Sequence, residues 1–337
     1  MIFSYRTRQF LRRALVVLLV LALLLAIALV CFAVWLRRFI IYTPEGARLD
    51  WTISDSTVPA KRPTAPEKLE ISVEFAGQGD QPLQPEREMR LSGYYIDTSR
   101  MKSDMESLRQ QLAQLPAGTA VMLDVKSAWG YFYYTTTLGP ASESFILAEV
   151  DALIAQLVNS DLYVIARMPA LRDYEFALNN QSCGLHIKKG YLWADENNYY
   201  WLDPTSEGTM THLIQLTKEL RDLGFDEVVF QDFYVPESTK IVFETDRKEA
   251  IEAAAQTLVT SCATDRFTVS FVGYTPDLKL PEDNCRLYLA NVAAVDVEDI
   301  LAQVTIADTL HNVVFLAQTN DTRYDVCGAL RPLDLAH

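Results

Sequence analysis

A chain of 337 residues, 50% hydrophobic and 22% charged, is long enough for one large domain or two smaller ones. Its net charge is −14, and because the first 38 residues hold six arginines and no acid, the remainder carries −20. Such a domain is repelled by nucleic acid and by anionic membrane surfaces, which leaves neutral or cationic partners.

Ala14 to Leu36 is an uncharged apolar run of 23 residues, long enough to cross a bilayer as a helix. It exceeds a typical signal-peptide core, and no small-x-small cleavage site follows it. Val30, before Cys31, is too large for a lipoprotein box. An uncleaved signal anchor over residues 14–36 is therefore expected, with the lipid bilayer as its partner. Arg6, Arg8, Arg12 and Arg13 precede the run, and only Arg37 and Arg38 follow it before the chain turns acidic. The positive-inside rule places residues 1–13 in the cytoplasm and the rest outside.

Residues 37–66 become rich in Pro, Ser, Thr and charge and read as a linker. The domain is expected over 67–337. Leu69 to Phe75 alternates like an edge strand. Gly77-x-Gly79 has neither a third glycine nor a following helix, so it is no nucleotide loop.

From Leu91 the chain alternates strands with amphipathic helices. Strands are predicted at Leu91–Asp97, Ala120–Lys126, Leu162–Met168, Val228 onward, Phe267–Val272, Arg286–Asn291 and Asn312–Ala317, with an eighth near the C-terminus. Helices are predicted at Met101–Leu115, Ser142–Val158, Met210–Leu223, Arg247–Ser261 and Val297–Val304. This rhythm fits an α/β chain of the (β/α)8 TIM-barrel type, complete or incomplete, better than a Rossmann sheet, whose phosphate fingerprint is absent.

In such barrels the C-terminal strand ends carry the chemistry. Parity sorts the polar residues there. Asp97, Asp124, Lys126 and Arg167 are expected to pair among themselves, as an ion-pair plug or as a substrate cradle. Trp129, in the loop after the second strand, and Trp201, in the long excursion 169–208, suit stacking on sugar rings. The stretch DLGFDEVVFQDFYVP from Asp222 turns at Gly224, runs apolar and ends on Asp232.

Four cysteines, Cys183, Cys262, Cys285 and Cys327, follow no metal-ligand spacing, so zinc is disfavoured and no cofactor or metal is expected. Disulfides and buried free thiols both remain open. No GxSxG, HExxH or Ser/His/Asp order is present.

Five pieces, in order, carry a resemblance: GYYIDTS at Gly93, MLDVKSAWG at Met122, YVIARMPALRD at Tyr163, WLDP at Trp201 and LGFDEVVFQDFYVP at Leu223. Together they resemble a bacterial glycosyl-hydrolase-type barrel domain of unknown function. The resemblance implies a barrel related to amylase-type glycosidases, with polysaccharide substrates. On an enzyme reading, Asp232 and Asp124 are the expected carboxylates, and Asp97, Lys126, Trp129, Arg167, Trp201, Asp203, Gln231 and Tyr234 the expected substrate-binding groups. Two departures stand out. Ser127 and Ala128 replace two family acids, and the family's signature aspartate and arginine fall on Gln231 and Tyr234. Asp232 stands one place late, which would turn its carboxylate away unless a bulge restores it. The sequence thus supports an anchored extracytoplasmic glycoside hydrolase. It also supports a catalytically inactive carbohydrate-binding or scaffold module on the same fold.

Overall fold

The computed structural model describes residues 40–43, 46–49 and 90–335. The expected membrane span and the edge strand Leu69–Phe75 lie outside these. The chain divides into two units, Met1–Asp80 and Gln81–His337. In the first, Ile40–Thr43 and Gly46–Leu49 pair antiparallel, within the stretch read as linker. Among the described residues no helix is long and apolar enough to cross a membrane.

The second unit is a closed barrel of eight parallel strands. In chain order these are β1 (Ser92–Ile96), β2 (Ala120–Asp124), β3 (Tyr163–Pro169), β4 (Glu227–Gln231), β5 (Thr268–Val272), β6 (Leu287–Ala290), β7 (Val313–Leu316) and β8 (Gly328–Pro332). Each lies beside its sequence neighbours, and β8 returns to β1 through Ala329↔Ser92 and Leu330↔Gly93. The ring closes completely. Where β1 meets β2, a Cβ on Gly93 would stand 1.9 Å from the Ala120 carbonyl oxygen, so only glycine permits that approach.

Strand parity divides the apolar residues into two cores. Met122, Ile165, Val229, Tyr288, Val314 and Leu330 fill the barrel interior. Val121, Leu123, Val164, Val228 and Phe230 face outward under the helices. Those helices are α1 (Thr98–Ser103), α2 (Met105–Leu112), α3 (Leu147–Val158), α4 (Tyr174–Asn179), α5 (Glu207–Leu223), α6 (Arg247–Cys262), α7 (Val297–Leu301) and α8 (Thr309–Asn312). The single helix expected over 101–115 is broken at Asp104, whose backbone leaves the helical region and whose carboxylate caps α2 on Ser107 N. The helix expected from Ser142 begins only at Leu147. Gly224, left-handed at φ 100°, ends α5 and turns the chain into β4.

One interior residue has a charge that the apolar pattern conceals. Glu227 opens β4 with no exposed surface. It accepts from Arg286 at 2.6 Å, from Tyr163 Oη at 3.1 Å and from Tyr288 Oη at 3.1 Å. These bonds satisfy a carboxylate that would otherwise be too costly to bury. The four cysteines Cys183, Cys262, Cys285 and Cys327 are free and buried.

Candidate functional site at the barrel mouth

Two side-chain clusters gather where the strands end. The first sits on β1 to β3. Asp124 and Arg167 occupy facing register positions. They form a two-pronged ion pair, Nε to Oδ1 at 2.6 Å and Nη2 to Oδ2 at 3.0 Å. The Arg167 guanidinium lies over the Tyr95 ring at 5.9 Å, and Tyr95 donates its hydroxyl to Gln318 at 3.2 Å. Tyr133 leans on the same charges. Burial first, and the Asp124 carboxylate second, push its phenol up to about 12.

Of the four charged residues expected to pair there, two do. Asp97 is exposed and caps α1, accepting from Ser99 N at 2.7 Å. The Ser99 hydroxyl and N–H hold its carboxyl below its ordinary value. Lys126 departs further. Strand β2 ends at Asp124, the chain turns, and Lys126 bridges Phe132 instead of continuing the strand. Its ammonium is buried on Asp173, whose carboxylate also accepts from Phe176 N at 3.0 Å to cap α4. Burial alone would raise Asp173, but the Lys126 charge and His212 at 3.5 Å hold it far below the ordinary range. Lys126 is therefore a structural ion-pair partner beneath the loops. Parity misplaced it because parity holds only while the strand lasts.

The second cluster joins the end of β4 to the loop after β3. Gln231, last in β4, has the inward parity of Val229, so it takes the position that the family's aspartate would occupy. Asp232 follows in the left-handed region at φ 51°, which few residues other than glycine adopt. This kink turns the chain out of strand alternation at the point where a bulge was required. The Asp232 carboxyl is largely buried and shifted upward, by burial first, with Arg172 opposing and Asp195 adding to the rise.

Asp195 behaves oppositely. Burial would raise it, but the Tyr199 N–H, the Trp201 indole N–H at 3.0 Å and Arg172 at 2.8 Å hold it below its ordinary value. Arg172 lies 4.1 Å over the Tyr199 ring and 5.7 Å from that of Trp201. The two carboxyls are thus displaced in opposite directions.

The aromatic residues divide likewise. Trp129 is 39% exposed and rests against Tyr199 at 4.5 Å and Tyr174 at 5.0 Å, and Tyr174 stacks on Tyr200 at 4.8 Å. Part of its indole remains open to solvent. Trp201 is only 2% exposed and its N–H is taken by Asp195. The stacking role expected for Trp201 is therefore corrected to an internal strut that orients Asp195 and Tyr234, whose ring is 4.9 Å away. Asp203 is likewise occupied, accepting from Thr205 N at 2.8 Å and Thr205 Oγ1 at 2.6 Å in the turn that leads to α5. Arg172 and Asp195 were not singled out from the sequence, although Arg172 lies inside YVIARMPALRD and Asp195 among the tyrosines of the excursion. The recurrence of charge among clustered aromatics was the available signal.

Residues 93–269, just over half the chain, match the family described as "Putative glycosyl hydrolase domain", and the chain belongs to that family. No curated protein sequence matches it. Among solved structures it is similar to the GH36 α-galactosidase of Geobacillus stearothermophilus, with 11% identity and a TM-score of 0.53 over 74% of this chain and 40% of that one. A variant of that enzyme in complex with raffinose matches at 0.52 with the same identity and coverage. A hypothetical protein from Ruminiclostridium thermocellum matches at 21% identity over 52% of this chain and 96% of that one, with a TM-score of 0.46. The chain thus spans well under half the length of the α-galactosidase, and at these identities the likeness is one of fold.

Proposed function

We propose that this protein is a glycoside-hydrolase-like barrel, anchored by residues 14–36 with its N-terminus in the cytoplasm, that engages envelope or extracellular polysaccharide at the C-terminal mouth of the barrel. The observation that carries this reading is the placement of Asp232 within the field of the Arg172–Asp195 ion pair, near the partly exposed Trp129. Asp232, protonated more readily than an ordinary carboxyl, is suited to donate a proton to a glycosidic oxygen. Trp129 supplies an apolar platform and Tyr234 a phenol beside Asp232. Oligosaccharide binding by the structurally similar α-galactosidase supports the ligand class.

A second reading, a binding module without catalysis, is favoured by how the remaining carboxylates are held. Glycoside hydrolysis uses a second carboxylate free to attack or to activate water. Asp124 is clamped by Arg167, and Asp195 accepts from Arg172, Trp201 and two backbone N–H groups. The deciding measurement is a panel of oligosaccharides tested for binding and turnover with the full chain and with Asp232→Asn. Turnover abolished by Asp232→Asn while binding persists supports the enzyme. Binding without turnover, unchanged in the variant, supports the module, and absence of both overturns the carbohydrate reading.

A further inference from the structure

Beyond the mouth, Tyr234 continues outward. Its ring stacks on Tyr274 at 4.4 Å with planes 18° apart, and Tyr274 is 65% exposed at the start of the β5–β6 loop, two residues after Val272. Trp201, Tyr234 and Tyr274 thus form a row of rings leading away from Asp232. The two tyrosines wall a cavity of about 240 Å³, floored by Phe233, Ile251 and Leu278 and rimmed by Arg247 and the Lys248–Asp277 ion pair.

Arg247 is the anomaly in this cavity. Its Nε is buried with no hydrogen-bond partner, and among the described residues no carboxylate pairs with its guanidinium. A buried guanidinium N–H without an acceptor is costly, and acceptors of matching geometry are carboxylates and phosphates. Of the neighbouring charges, Glu237 also lines the cavity but is exposed, and the others are committed. Lys248 is held by Asp277, and Asp246 caps α6 by accepting from Lys248 N at 2.9 Å and Glu249 N at 3.0 Å. Arg172 at the mouth also has a buried Nε without an acceptor, but its guanidinium, like that of Arg167, has a carboxylate partner, which Arg247 lacks among the described residues.

We propose that this cavity is a secondary subsite for an acidic sugar, a uronic-acid ring lying against Tyr234 and Tyr274 with its carboxylate on Arg247. The proposal rests on the carbohydrate reading of the mouth and adds its chemical class: an oligosaccharide carrying a carboxylate one or more rings from the residue at Asp232. The strongly negative chain would repel a dense polyanion at long range, so the fit is to an isolated acidic unit.

The test titrates the full-length chain in detergent with glucuronate- and galacturonate-ended disaccharides and with their carboxyl-reduced neutral counterparts. Binding is read by calorimetry and by the Arg Nε–H resonances. The acidic form is expected to bind about tenfold more tightly than its neutral counterpart, the worth of one hydrogen bond to a charged group. Arg247→Gln should erase that preference, and Tyr274→Ala should weaken both forms. Equal binding of the acidic and neutral forms, unaffected by Arg247→Gln, overturns the subsite and leaves the mouth reading standing. No binding of any disaccharide overturns both.

Discussion

Asp232 is the residue on which the functional reading turns, and two separate costs converge on it. A non-glycine residue at φ 51° is strained, and a largely buried carboxyl without its own ion pair resists ionisation. Asn198, Asn284, Asn291 and Asp308 share that backbone region, so it is the suppressed charge at the end of a barrel strand that sets Asp232 apart. The folded-state pKa is raised above that of the unfolded chain. Its contribution is therefore favourable at acid pH and is lost as the pH rises through the folded value. Asp232→Asn, which keeps the left-handed preference and removes the titration, should melt at a higher temperature than the parent at about pH 7. That advantage should vanish at about pH 4, near the ordinary carboxylate value. Thermal denaturation at the two pH values checks this, and an unchanged gap would show that burial of the charge is not the cause. Asp232→Gly should in addition relieve about 1 kcal/mol of backbone strain.

At the scale of the element, β4 shows how far sequence reading reaches. Val228, Val229 and Phe230 announced a strand, and Gly224 its turn, because apolar period and left-handed glycine are local signals. Glu227 was invisible to that reading, since its partners Tyr163, Arg286 and Tyr288 come from β3 and from the start of β6. Parity placed Asp124 beside Arg167 because both lie within their strands, and it failed for Lys126, just beyond one. Exposure also escaped it. Trp129 and Trp201 look alike in sequence, yet one is open and the other enclosed by loops distant in the chain. Removing a single partner of the interior pair should be severe: Glu227→Leu alone strands Arg286 and should cost about 3–5 kcal/mol of stability. The double variant Glu227→Leu with Arg286→Met should recover much of that loss. A chemical-denaturation cycle over the four proteins measures it, and strict additivity would show that the two groups do not depend on each other.

For the whole molecule, charge and hydropathy point the same way. The apolar run of residues 14–36 precedes a chain that carries −20 outside its arginine-rich beginning. A barrel of that charge has no electrostatic affinity for an anionic leaflet, so any membrane association must come from the apolar run. The full chain should remain in the membrane fraction through high-salt washing and be released by detergent. A chain lacking residues 1–38 should be recovered in the soluble fraction. Release of the full chain by salt alone would count against the anchor.

The pairing of β8 with β1 also dictates an order of assembly. Ala329 meets Ser92 only after every residue between them has been made, so the first stave of the barrel waits for the last. Until then Ser92–Ile96 and the latest strand present two open edges, the surfaces on which incomplete sheets join one another. Loss of the final ten residues would therefore remove a stave rather than a tail, leaving an open curved sheet whose natural partner is another copy of itself.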